Sequence, residues 1–284
     1  MYHDQCAVGA QITAHSGLTG AEAKVKRFFG DIKKYYRYLF YAARSELHGE
    51  VASSYLNWLW WILDPLLFSM VYIFLFFFVF KSREDCFPIF VVIGLTVWNF
   101  FNKTVLASIK LVKNNKAVLN KVYIPKFMLI LQKMYVNAFK MLISFGIVLV
   151  LMIVYRVTPN WRIIYLPVLI LIIFLITFGC STIVMHTGVF VNDLSNLMTV
   201  FLRLMFYLTG VFYSLEDRVP GVLGKLMNRL NPVAFVISCT RKALLYGGHM
   251  SWKYMLCWIL AGFFLSVFGI RLIYKNENNY IKVV

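Results

Sequence analysis

The fold class this sequence predicts is an all-α integral membrane protein: six transmembrane helices, an N-terminal amphipathic interface helix and two outer re-entrant half-helices before the last span. Three observations predict it. Of 284 residues, 61% are hydrophobic and only 14% charged, where a soluble domain has nearer half and a quarter. Six apolar runs approach or pass the ~18–20 residues needed to cross a hydrocarbon core of about 30 Å. The basic residues behind a formal net charge of +17 gather beside those runs, as topology signals and contacts with anionic lipid require. That placement argues against a nucleic-acid partner, and no nucleic-acid recognition module is present.

Residues 1–23 have neither an apolar core nor a basic start, so they read as a flexible tail and not a signal peptide. Residues 24–54 form the interface helix. Phe28, Phe29, Ile32, Tyr35, Tyr36, Leu39 and Phe40 recur at three- and four-residue steps, with Lys26, Lys33, Lys34 and Arg37 between them, giving an apolar stripe and a basic face. The six-span domain, 55–284, follows, with spans at about 56–80, 87–109, 127–155, 163–190, 197–213 and 252–274. An even number of spans puts both termini on one side. With the termini in the cytosol, fourteen Lys and Arg flank the spans inside and nine outside, so the positive-inside rule favours cytosolic ends. The connection 214–251 is too long for a turn and too apolar for a solvated loop. Pro220 can open one short helix, Asn231 can cap a second that starts at Pro232, and Gly247 can end it. The pair, 219–247, reads as half-helices dipping into the membrane and returning.

The chemistry that is missing narrows the function. Among twelve acids only Asp64 falls inside a span, with Asp193 at a span mouth, which disfavours a proton- or sodium-coupled carrier. No GxxxxGK[ST] loop occurs, so the chain cannot cradle nucleotide phosphates by itself. Its five cysteines and five histidines show no metal-ligand spacing. His186 reads as a hydrogen-bonded interior histidine. Without a GxSxG elbow or paired outer carboxylates, catalysis is not expected.

The stretch "SSYLNWLWWILDPLLFSMVYIFLFFFVF" resembles the start of the first span in permease subunits of ABC-type polysaccharide exporters, the group that moves O-antigen, capsule and teichoic acid chains. Ser54, Leu56, Trp60, Leu63 and Pro65 match that pattern; Asp64 stands for its acid and Asn57 departs from its glycine. A second match runs through Leu119, Lys121, Val122, Pro125 and Lys126. A third takes in Asp193, Val211, Tyr213, Val219, Pro220, Asn231, Pro232, Arg241 and Gly247, with Asn192 and Gly210 in place of the expected arginine and proline. The resemblance covers roughly residues 35–284. It implies a homodimer in the cell membrane with two copies of a cytosolic ABC ATPase, which would hold the ATP and Mg; this chain would bind no cofactor or metal. It also implies that the segment 114–126 couples the two subunits through Lys116, Leu119, Lys121, Val122, Tyr123 and Pro125.

A polysaccharide or lipid-linked glycan needs a wet or aromatic-lined path. Trp58, Trp61, Tyr72, Trp98, Phe101, Tyr207 and Tyr213 are candidates for it, or else core and interfacial residues. Three cations lie at membrane depth. Lys133 can snorkel, whereas Lys140 is about 21 Å along a helix from Lys126. Arg203 is near the middle of the fifth span and needs water, an anionic substrate or a partner such as Asp64. The expected function is ATP-driven export of a polysaccharide. A permease for another amphipath, such as a glycolipid or drug, and a membrane-embedded glycan-modifying enzyme are the alternatives.

Overall fold

A computed structural model describes residues 20–52, 55–75, 86–158, 160–218, 222–248 and 250–283. Twelve α-helices lie among them: α1 Gly20–Val51, α2 Trp60–Phe74, α3 Phe87–Ile109, α4 Leu111–Asn114, α5 Lys116–Leu119, α6 Lys126–Val154, α7 Leu166–Phe190, α8 Leu194–Leu208, α9 Leu215–Arg218, α10 Val222–Leu230, α11 Pro232–Arg241 and α12 Trp252–Val283. No strand occurs among the described residues. The stretches Phe87–Ile109, Lys126–Val154, Trp161–Phe190 and Trp252–Glu277 are long and apolar enough to cross a membrane, while α2 and α8 are apolar but short. The six apolar helices arrive in the predicted order.

The centre of the bundle is α3, whose Phe87, Phe90, Phe100 and Val91 are buried to within 2%. Its Thr96, Thr104 and Ser108 hydroxyls donate to carbonyls four residues back, so they satisfy themselves inside an apolar environment. Helices α7 and α12 run parallel and close. Ser266 donates across to the Leu175 carbonyl at 2.9 Å, and Gly179 and Gly262 sit against Leu265 and Leu175, the small-residue contact that lets membrane helices approach.

One end of the bundle, here the basic end, collects the start of α1, α4, α5, the α7–α8 turn and the end of α12. The other, the half-helix end, collects α9, α10 and α11. At 29 residues α6 is about 44 Å long, some 14 Å more than a hydrocarbon core. Its first turns therefore extend past the core at the basic end, and α1 lies along them. Phe28 meets Phe127 at 4.8 Å between ring centroids, Phe40 meets Tyr135 at 5.1 Å, and Ala43 and Leu47 pack on Val136. Lys33, Lys34 and Arg37 stay exposed on the opposite face, as an interface helix requires.

Several boundaries differ from the sequence reading. α1 begins at Gly20, not 24; residues 1–19 lie outside the described residues, as do 76–80 of the first span. The fifth span was expected over 197–213, but α8 stops at Leu208. Gly210 there adopts φ +68°, a left-handed conformation that glycine reaches freely and proline cannot, which accounts for the departure from the resembled pattern. α12 continues nine residues past the expected 274, because Glu277 and Tyr280 find partners: the Tyr280 hydroxyl is 2.7 Å from His186 Nδ1. His186 is thus hydrogen-bonded as expected, but only partly buried.

Candidate functional site

A cleft of about 410 Å³ opens between α2, α3 and α8, lined in part by Asp64, Tyr72, Trp98, Asn99, Lys103, Thr199, Arg203 and Phe206. Antiparallel neighbours α2 and α3 bring Asp64 and Lys103 to one level, and Lys103 Nζ donates to Asp64 Oδ2 at 3.2 Å. Arg203 is exposed in this cleft and forms no ion pair among the described residues. The pairing of Asp64 with Arg203, one of the options open in the sequence, is replaced by Asp64–Lys103. The aromatic wall is continuous: Tyr72 lies 6.4 Å from Phe206 and 4.2 Å from Phe212, and Trp98 lies 5.4 Å from Phe206.

Asp64, Pro65, Asn99 and Lys103 also line an adjoining cavity of about 240 Å³ that reaches Lys140 and Glu50. Lys140 Nζ is 2.6 Å from Glu50 Oε2, and about two turns earlier Lys133 pairs with Glu46. The depth problem of Lys140 is thus answered by a carboxylate from α1. Asn137 donates to Thr104 Oγ1 at 2.9 Å in the wall of the same cavity.

The other expected path residues separate. Phe101 is 8% exposed and belongs to the core. Tyr207 is 61% exposed outside the cleft, although its carbonyl accepts from the Tyr213 hydroxyl at 2.7 Å. Tyr213 itself lines a third cavity of about 190 Å³ at the half-helix end, with Glu216 and Arg241.

That end is organised by Arg241, only 4% exposed. Its guanidinium donates to the carbonyls of Phe90 (Nε 3.2 Å, Nη2 3.1 Å), Gly210 (2.9 Å) and Val211 (2.5 Å), so one side chain joins α11, α3 and the end of α8. Gly94 leaves room for it, since a Cβ there would meet Nη2 at 2.6 Å. Asn231 caps α11 by accepting from the Val233 and Ala234 amides and donates to Thr209 Oγ1 at 3.1 Å; Pro232 opens the helix as expected. Pro220 lies outside the described residues. α11 is a core element, with Val233, Ala234, Val236 and Ile237 all 1% exposed. Nearby, Glu216 accepts from Lys242 at 2.9 Å and Asn228 at 2.8 Å. Burial raises its pKa, but the hydrogen bonds and charge of Lys242, helped by Asn228 and Arg229, prevail and hold the carboxyl below its ordinary value.

At the basic end the segment 114–126 divides into inner and outer faces. Leu119, expected to face outward, is 8% exposed and packs in the core. The reason is the break at Asn115 between α4 and α5, which turns Leu119 inward. Val118, Val122 and Tyr123 are exposed at 42%, 56% and 49%, and Lys116 and Lys121 are exposed beside them. Pro125 precedes the first turn of α6.

Four elements meet behind this face. The Tyr123 hydroxyl donates to Glu277 at 3.0 Å and accepts from Arg27 at 2.9 Å. Glu277 also pairs with Arg27 at 3.4 Å and with the 2%-exposed Lys126 at 3.5 Å. Burial and the Glu277 carboxylate push the Tyr123 phenol up to about 12, with Arg27 opposing. At the α7–α8 turn Lys113 donates to Asn192 Oδ1 at 2.7 Å; an arginine at 192, as in the resembled pattern, would face that lysine's charge.

A multi-pass helical bundle with a charged, aromatic-walled cleft at membrane depth and a separate exposed face at one end is the architecture of a transport permease. The chain belongs to the ABC-2 type transporter family, whose pattern matches residues 40–245, a range holding the cleft, the basic face and the short helices α10 and α11. It is similar to an O-antigen export system permease protein RfbA of Klebsiella pneumoniae, 26% identical over 233 residues, covering 82% of this chain and 89% of the relative. A permease of the same name from Myxococcus xanthus is 28% identical over 212 residues, 75% of this chain and 82% of the relative.

Proposed function

We propose that this permease exports a polysaccharide, carried on a lipid, through the cleft between α2, α3 and α8, driven by a separate ABC ATPase that holds ATP and Mg. The observation that carries the reading is the pairing of cations with aromatic surface in one cleft: Lys103 and Arg203 face it together with Tyr72, Trp98 and Phe206. A guanidinium suits a phosphate linkage, and aromatic faces suit sugar C–H groups.

A homodimer supports the path. The cleft is open on one side, and α2 and α8 beside it expose Phe68, Val71, Val200 and Leu204, each at 57–60%. A second copy across the same two helices would close it with an isologous interface. In this reading the basic end faces the cytosol, where Val118, Val122 and Tyr123 dock the ATPase. The deciding experiment expresses the chain with its neighbouring ATPase and glycosyltransferases in cells lacking their own exporter. Surface glycan should appear with wild type, and glycan should accumulate inside with Arg203→Ala. Surface glycan at wild-type level from Arg203→Ala would remove the cleft from the path.

A further inference from the structure

A groove of about 520 Å³ runs between α1, α6, α7 and α12. Phe174 and Phe178 of α7 line its deep part; Phe263 of α12, Phe28 of α1, Tyr274 and Arg271 line the rest. The α7–α12 contact at Ser266 and Leu175 closes its floor. Each of the three cavities described above holds a carboxylate, Glu50, Asp64 or Glu216, whereas this groove holds none.

Its polarity is graded along the membrane normal. Counting from Trp252 at the half-helix end, Phe263 is about 16 Å along α12 and Arg271 about 28 Å, which places the arginine near the far boundary of a 30 Å core. Arg271 is exposed and makes no ion pair among the described residues. Arg27, its neighbour across Tyr274, is by contrast stacked on that ring at 4.6 Å and paired with Glu277. An apolar slot that ends in an unpaired guanidinium at the interface complements a molecule with a hydrocarbon tail and an anionic head.

We infer that the groove binds one anionic phospholipid of the basic-end leaflet, its acyl chain against Phe174, Phe178 and Phe263 and its phosphate on Arg271. Because α1 forms one wall and Tyr274 also donates to Asp31 of α1 at 2.8 Å, the bound lipid braces α1 against α12. The inference does not depend on what is transported.

The test places the full chain in phosphatidylcholine nanodiscs and follows tryptophan fluorescence of Phe178→Trp, with wild type subtracted, as brominated-acyl lipid is added. Phe263→Trp, at the more exposed rim, serves if the first variant does not fold. Brominated phosphatidylglycerol should half-quench at a mole fraction about fivefold below that of brominated phosphatidylcholine, the advantage one basic residue gains from anionic lipid. Arg271→Gln should erase the difference and Arg271→Lys keep most of it. Equal quenching by both lipids in the wild-type background would mean ordinary annular lipid and overturn the proposal. So would no quenching by either, which would mean that protein, such as a second copy, fills the groove. Neither result bears on export, which is read by surface glycan.

Discussion

Lys103 and Asp64 form an ion pair at 3.2 Å across α2 and α3, about half exposed to the cleft on each side, and this leaves Arg203 free to meet something else. Arg203→Met combined with Asp64→Asn should therefore fail to restore export. Lys103→Met with Asp64→Asn should fold like wild type, because a half-exposed pair contributes no more than about 1 kcal/mol. Surface-glycan assay and thermal unfolding in mild detergent read the two effects separately.

Arg241 ties α11 to α3 and to the link after α8 through three backbone carbonyls. Arg241→Ala leaves those buried acceptors unpaired at about 1–3 kcal/mol each, so a large drop in melting temperature is expected. Arg241→Lys should recover little, since an ammonium lacks the planar fork. Gly94→Ala should be nearly as harmful through its contacts with Arg241 and the Val211 carbonyl.

The two faces of the 114–126 segment separate docking from folding. Val118→Ser with Val122→Ser should weaken co-purification of the proposed ATPase while leaving the melting temperature unchanged. Leu119→Ser should do the reverse, destabilising the bundle by about 2–5 kcal/mol, as truncation of a buried leucine does.

Glu277 is the carboxylate beside Lys126, Arg27 and Tyr123. Glu277→Gln strands the buried Lys126 charge, a loss on the order of 3 kcal/mol, and should reduce nucleotide hydrolysis in the assembled complex. Tyr123→Phe should cost less, about 1 kcal/mol. Equal melting temperatures for wild type and Glu277→Gln would contradict the junction.

The depressed pKa of Glu216 carries a pH signature. Its folded value lies below the unfolded value near 4.3, so its stabilisation is fully present above that pH and fades as pH falls through the folded value. The melting-temperature gap between wild type and Glu216→Gln should be constant from neutral pH to about 5 and narrow below 4.

Order and kind of helix were legible because lipid leaves few solutions: an apolar run must be helical, and the run Phe87–Ile109 was found to the residue. Asn231-Pro232 was legible as a cap for the same local reason. What failed was everything decided by tertiary contact. The end of α8 is set by Arg241, thirty residues on, and the extension of α12 by His186 and Lys126. Lys103 does not stand out in the sequence, because it sits toward the end of its run, where a lysine can snorkel. Yet its depth mirrors that of Asp64 on the preceding antiparallel helix, and that symmetry was available. The inward direction of Leu119 is not legible, because a four-residue helix has too few positions to define a face.

α8 has 15 residues and α11 only 10, so neither bridges the hydrocarbon by itself. The cleft wall that α8 forms therefore ends short, at Leu208, and Arg241 of α11 holds the chain just beyond it. A one-piece wall can admit a wide molecule only by tilting as a rod, which disturbs every neighbour along its length. A wall that stops at Gly210 can bend there while the rest of α8 keeps its packing, and the bonds from Arg241 to the Gly210 and Val211 carbonyls set how firmly that end is held.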